Sequence, residues 1–132
     1  MKITDFKATF KDTASAIRAA KIFELRKQAM MSVMDGRFKD ARNYQKEIAK
    51  DAVTDFEAYK KQPFIHFSVP GMPLKEFFSM AFNSFKFKIY NKFTKKTPEE
   101  KQLNKLSKEY FKNLSKEDIK KNTIDVTIPT LF

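Results

Sequence analysis

Hydrophobic and polar positions alternate from Ile3 to Lys11, with Phe6, Ala8 and Phe10 on one side and Lys7, Thr9 and Lys11 on the other, the period of a half-buried strand. Asp12 or Thr13 then offers a side-chain oxygen to the free amides of a first helical turn. Residues 14–34 hold no Pro or Gly, and Ile22, Leu25, Ala29 and Val33 form one stripe at steps of three and four, with Phe23, Met30 and Met34 beside it. An apolar arc this wide predicts the most buried helix of the chain. Asp35-Gly36 ends it, Gly supplying the positive φ of a helix C-terminus. Phe38, Ala41, Tyr44, Ile48, Ala52, Phe56 and Tyr59 then carry a long second helix through Lys61. So short a turn forces the two helices antiparallel.

Three prolines and a glycine interrupt residues 62–73, where the chain crosses in extended form and Phe64 to Val69 has the character of a short strand. Pro73 suits the first position of a further helix, along which Leu74, Phe78, Phe82, Phe85, Ile89 and Phe93 keep a stripe. Phe85-Lys86-Phe87-Lys88-Ile89 also alternates like a strand, and the greater length of the stripe favours helix. Thr97-Pro98-Glu99-Glu100 is a capping-box signature, and Leu103, Leu106, Tyr110 and Leu114 give the helix it opens a narrow seam. Ser115-Lys116-Glu117-Asp118 restarts a short helical turn. The run from Thr123 to Phe132 alternates and is β-branched, a closing strand or arm.

Gly36-Arg37-Phe38-Lys39-Asp40-Ala41 followed by Tyr44 resembles the second half of a tetratricopeptide repeat, over about 34 residues at most. No second copy occurs at that period, and the Trp, Leu-Gly and terminal Pro positions of the motif are not matched. The resemblance therefore implies helical-hairpin packing and no peptide-binding function.

The pattern predicts a single, mainly α domain over 1–132: an antiparallel helical hairpin and two further helices with short terminal strands or arms, an α+β arrangement being the minor alternative. Its parts are an N-terminal arm or strand (1–12), the hairpin (13–61), the Pro-rich crossing with its Phe/Lys-rich helix (62–97), C-terminal helices (98–122) and a C-terminal arm or strand (123–132).

Composition narrows the chemistry. There is no Cys and one His, so thiolate chemistry and Cys- or His-rich metal sites are excluded. Two isolated glycines cannot build a phosphate-cradling loop. Glu47, Asp51 and Asp55 stack at steps of four, a line more suited to a solvated face balanced by neighbours than to a metal or an acid/base pair. His66, between Ile65 and Phe67, reads as a buried, hydrogen-bonded side chain. No cofactor and no catalytic group is expected, so the protein reads as a non-enzyme.

The net charge of +11 is carried by lysine, with only four arginines. Lysine attracts anions generally but lacks the planar fork that reads base edges. Residues 62–97 concentrate this charge, with Lys75, Lys86, Lys88, Lys92, Lys95 and Lys96 against Glu76 and eight of the 15 Phe. No apolar leader or membrane-length run is evident, so a soluble, intracellular protein is expected, cytoplasmic or within a virion or other large assembly, and not secreted.

The function expected from these features is that of a structural or assembly subunit in a homo- or hetero-oligomer, with a virion or other nucleoprotein particle as one setting. It would dock to protein partners through Phe6, Phe10, Ile124, Val126, Ile128, Leu131 and Phe132, because apolar arms left in water are aggregation edges. Residues 3 to 10 are the expected intramolecular partner of the closing strand if it pairs within the domain. The alternative is a small sequence-nonspecific nucleic-acid-binding protein in which Lys86, Lys88, Lys92, Lys95 and Lys96 contact phosphates. Lysines on one open face favour that alternative, and lysines dispersed around a buried helix favour assembly. A membrane surface ranks below both, since Phe78 and Phe87 on opposite sides of one helix suggest burial between two layers. On this reading, deleting residues 123–132 abolishes partner incorporation and leaves the circular-dichroism helix signal largely intact.

Overall fold

The computed structural model describes residues 13–68 and 73–127. Among them the helices are α1 (Thr13–Met34), α2 (Phe38–Thr54), α3 (Phe56–Lys60), α4 (Leu74–Phe93), α5 (Pro98–Lys112) and α6 (Lys116–Lys121), and the strands are β1 (Phe64–Ser68) and β2 (Thr123–Thr127). The protein is mainly α with a small sheet, and residues 85–93 are helical. The expected strand at 3–11, the capping role of Asp12, and Phe6, Phe10, Ile128, Leu131 and Phe132 lie outside the described residues.

The α1–α2 hairpin forms as its turn chemistry requires. Gly36 takes φ 76°, its amide donates to the Val33 carbonyl at 3.0 Å and the Arg37 amide donates to that of Ser32 at 2.8 Å. This double bond set is the Schellman closure of a helix, which needs a left-handed residue at the position Gly36 fills. α1 buries Ala16, Ala19, Ile22, Phe23, Ser32 and Val33, more than any other helix. Against it the core is thin: of the ten buried apolar side chains among the described residues, six are alanine, and only Phe23 and Phe87 are aromatic. Ala16, Ala19, Ile22, Phe23 and Ala58 form one cluster, Val33, Ala41 and Phe87 a second.

The second helix is not continuous through Lys61. It breaks at Asp55 (φ −142°, ψ 84°), whose carboxylate accepts from the Ala58 amide and so caps α3. The same carboxylate accepts from Ser15 Oγ at 2.7 Å and faces Arg18 at 3.6 Å. An Asp with such partners satisfies the backbone better outside a helix than inside it. Asp51 pairs with Lys21 at 3.0 Å, while Glu47 is exposed. Two of the three carboxylates thus face α1, and among the described residues no group of acidic and histidine side chains converges as a metal site.

β2 pairs in parallel with β1, in the register Phe64↔Thr123 to Ser68↔Thr127. Its strand partner is therefore the crossing segment. Ile65 and Ile124 pack against the α1 cluster, which places Ile124, expected as a docking residue, half-buried on the chain's own core. Val126 lies opposite Phe67 in the ladder. His66 is not buried: it sits on the open side of the sheet, 3.1 Å from Asp125. The period-2 alternation that turns Ile65 inward turns its neighbour out. Truncation at 123 would remove the strand that covers β1, so the loss would reach the fold and not incorporation alone.

α5 is anchored by a buried ion pair. Thr97 Oγ1 accepts from the Glu100 amide, and the Glu100 carboxylate accepts from the Thr97 amide at 3.0 Å, the reciprocal capping box expected there. Arg42 of α2 grips the same carboxylate with both terminal nitrogens, Nη2 to Oε1 at 2.6 Å, and donates to the Lys95 carbonyl at 3.1 Å. Burial alone would raise the Glu100 carboxyl, but hydrogen bonds from Arg42 and Thr97 outweigh it and lower the pKa from 4.5 to about 2. Glu100→Gln should cost about 3 kcal/mol at neutral pH in urea unfolding, because Arg42 is left buried without a counter-charge. Arg42→Met with Glu100→Leu should recover most of that loss. The depressed pKa makes the pair's stabilisation complete above the ordinary carboxylate range, and it falls away from about pH 5 towards pH 2; Glu100→Gln should flatten that limb.

Candidate docking face

α4 packs on the hairpin by its less apolar side. Asn83 Nδ2 donates to the Met34 carbonyl at 2.9 Å, satisfying an acceptor at the end of α1. Gly36 faces this amide with no Cβ between them. Phe87 fills the space over Val33 and Ala41, its ring 5.6 Å from that of Phe38, and Tyr90 stacks beside it at 6.2 Å. Asn83 and Phe87, four positions apart, face inward, and Tyr90, three further on, stands at the exposed edge of that stripe.

The stronger stripe points away from the protein. Leu74, Phe77, Phe78, Phe82, Phe85, Ile89 and Phe93 are 45 to 84% exposed. Seven large apolar side chains in this state present on the order of 800 Å² of contiguous apolar surface, above what isolated monomers usually leave bare. Phe78 and Phe87 do stand on opposite sides, but among the described residues no second layer covers Phe78. Among the described residues α4 therefore has a packed layer on one side only, where Phe87 and Phe38 cover Ala41 and Val33, and not the two layers expected.

The lysines frame this stripe. Lys86 and Lys88, two residues apart, project about 160° from one another on a helix, so they border opposite flanks. Lys86 Nζ rests 4.5 Å from the centre of the Phe82 ring, and Lys92 is exposed near the end of α4. Lys95 is exposed on the loop beyond, and Lys96 is half-buried and turns towards a cleft between α2, α4 and α5. Lys86, Lys88 and Lys92 are thus gathered on the open side of one helix, while Lys95 and Lys96 stand apart from it. Of the docking residues named from the sequence, Ile124 is committed inside and Val126 to the ladder; the outward turn of α4 is what the sequence reading missed.

No family model, no curated protein and no solved structure matches the chain. No helix among the described residues is long and apolar enough to cross a membrane. Since the outer face already stands in water, Phe78→Ser, Phe82→Ser and Phe85→Ser should each shift the unfolding free energy by no more than about 0.5 kcal/mol in urea titrations. Phe87→Ala, which empties the inner pocket, should cost about 3 to 4 kcal/mol.

Proposed function

We propose that the protein is a non-enzymatic structural or assembly subunit that docks to a protein partner through the outer face of α4. The observation that carries this reading is the outward apolar stripe from Leu74 to Phe93. Its area is that of one side of a standard protein interface, about 800 Å². The partner's chemistry follows from charge complementarity: an apolar groove rimmed by Asp and Glu would take the Phe ridge and meet Lys75, Lys86, Lys88 and Lys92, which Glu76 alone offsets within α4. A second copy of the chain would bring these lysines against their like.

Two observations favour nucleic acid as the second reading: Lys86, Lys88 and Lys92 are exposed on the open side of one helix, and the contact of Lys86 with Phe82 places a cation beside an exposed ring, the pairing that single strands engage. Flanking positions on opposite sides of a ridge are less suited to following one phosphate chain.

A photo-reactive phenylalanine analogue at Phe82 or Phe85, introduced in cells that make the protein, tests the choice. The expected result is a discrete adduct to one acidic-surfaced protein, absent when the analogue replaces exposed Ile119 on α6. An adduct to nucleic acid, or micromolar binding of a labelled single strand that weakens steeply on doubling the salt, would replace this reading with the second. No adduct, or adducts only to the chain itself, would overturn it.

A further inference from the structure

The inner side of α4 forms one wall of an open groove, with Lys88 on the edge between the groove and the docking face. One lobe, about 400 Å³, lies between α1, α2, β1 and α4 and is walled by Ala29, Met30, Val33 and Phe87. A second, about 310 Å³, lies between α2, α4 and α5 and carries Asn91, Lys96, Leu103 and Asn104. Arg26, Gln45 and Ile48 line both lobes and mark where they meet. Each lobe is within the size range of small-molecule sites between helices.

Arg26 is the unusual group in this groove. The other three arginines meet carboxylates: Arg18 with Asp55, Arg37 with Asp35 and Asp40, Arg42 with Glu100. Among the described residues Arg26 meets none, and its one hydrogen bond goes to the neutral Gln62 Oε1 at 3.3 Å. Burial lowers its pKa, the direction expected of a cation stripped of water without a counter-charge, and Tyr59 only partly offsets this. Glu100, the acid on the second lobe, is neutralised by the grip of Arg42, so it does not supply the missing anion. A guanidinium held in this way matches a planar oxyanion.

We propose that the groove is a binding site for a small amphiphilic anion, its apolar body in the lobe of Ala29, Val33 and Phe87 and its carboxylate or phosphate head on Arg26, with Lys96 at the rim. The site does not rest on the docking reading, although Lys88, on the flank of the α4 ridge, also borders its apolar lobe.

The test is a nuclear magnetic resonance titration of the full chain with n-octanoate, n-octyl phosphate and uncharged n-octanol, which share one tail. Saturable shifts are expected at the Val33 and Ile48 methyls and the Arg26 side-chain N–H, with octanol at least about tenfold weaker than the preferred anion. The stronger of the two anions identifies the head group. Arg26→Gln should bring that anion down to the octanol level. Ala29→Phe, which fills the apolar lobe and leaves Arg26 in place, should abolish the saturable shifts while circular dichroism reports an unchanged helix content, and it keeps the test open if Arg26→Gln fails to fold. Equal response to octanol, shifts confined to Phe78, Phe82 and Phe85 on the outer face, or saturable binding that survives Ala29→Phe would overturn the proposal.

Discussion

The close approach of α1 to the elements that follow it, across a surface of alanines, is the constraint from which the rest of the architecture follows. Ala16, Ala19, Ala49, Ala52 and Ala58 are essentially inaccessible to water, and small side chains at a helix contact draw the axes towards the short end of their usual separation. The seam buries Ile22 and Phe23, and Ile48, Tyr59, Ile65 and Ile124 close its margins half-buried. Aromatic volume is placed elsewhere, and α4 carries seven of the chain's 19 aromatic side chains. The polar groups at the margins follow the same geometry: Asp51 and Asp55 reach back to Lys21 and Arg18, while Arg42 reaches forward to Glu100 and fixes the start of α5.

What was legible in the sequence was local. The capping box at Thr97 and Glu100 and the turn at Gly36 involve residues three to five positions apart, and both stand as their residue types imply. The stripes on α1 and α4 were equally visible. A stripe, however, specifies that a face is apolar and not what lies opposite it. For α1 the opposite surface is α2; for the Phe stripe of α4 the described residues supply none. The groups that set this outcome are distant in the chain: Asn83 with Met34, and Arg42 with Glu100, 58 positions away. Arg26 left a faint trace, standing three residues from Phe23 and four from Met30 in an otherwise apolar row. The break at Asp55 was hidden because a helix-compatible row of Ala52, Phe56 and Tyr59 runs across it; only the contacts of its carboxylate with Ser15 and Arg18 make the interruption favourable.

α4 consequently has two chemical characters. Outside it is a lysine-framed ridge of Phe, suited to a large complementary surface. Inside it is held by one amide and one ring, Asn83 and Phe87, and beside them it leaves space over an arginine that lacks a carboxylate. One helix therefore forms both the exposed ridge and one wall of an open groove, which places two surfaces of different scale within one helix diameter.

The parallel pairing of β1 with β2 also bears on how the chain matures. His66 and Asp125, which face each other across the ladder, are 59 positions apart, so closing it joins segments separated by all of α4, α5 and α6. Long-range pairing of this kind forms late, since a long loop must be ordered before it is rewarded. During synthesis, β1 leaves the ribosome with its edge unpaired and must wait there until β2 has followed. Ile65 lacks its Ile124 neighbour throughout that interval, at a stage when the Phe ridge is already emerging. The nascent protein is therefore most vulnerable to aggregation while β1 and the Phe ridge have emerged and β2 has not, the interval in which a chaperone has the most to shield.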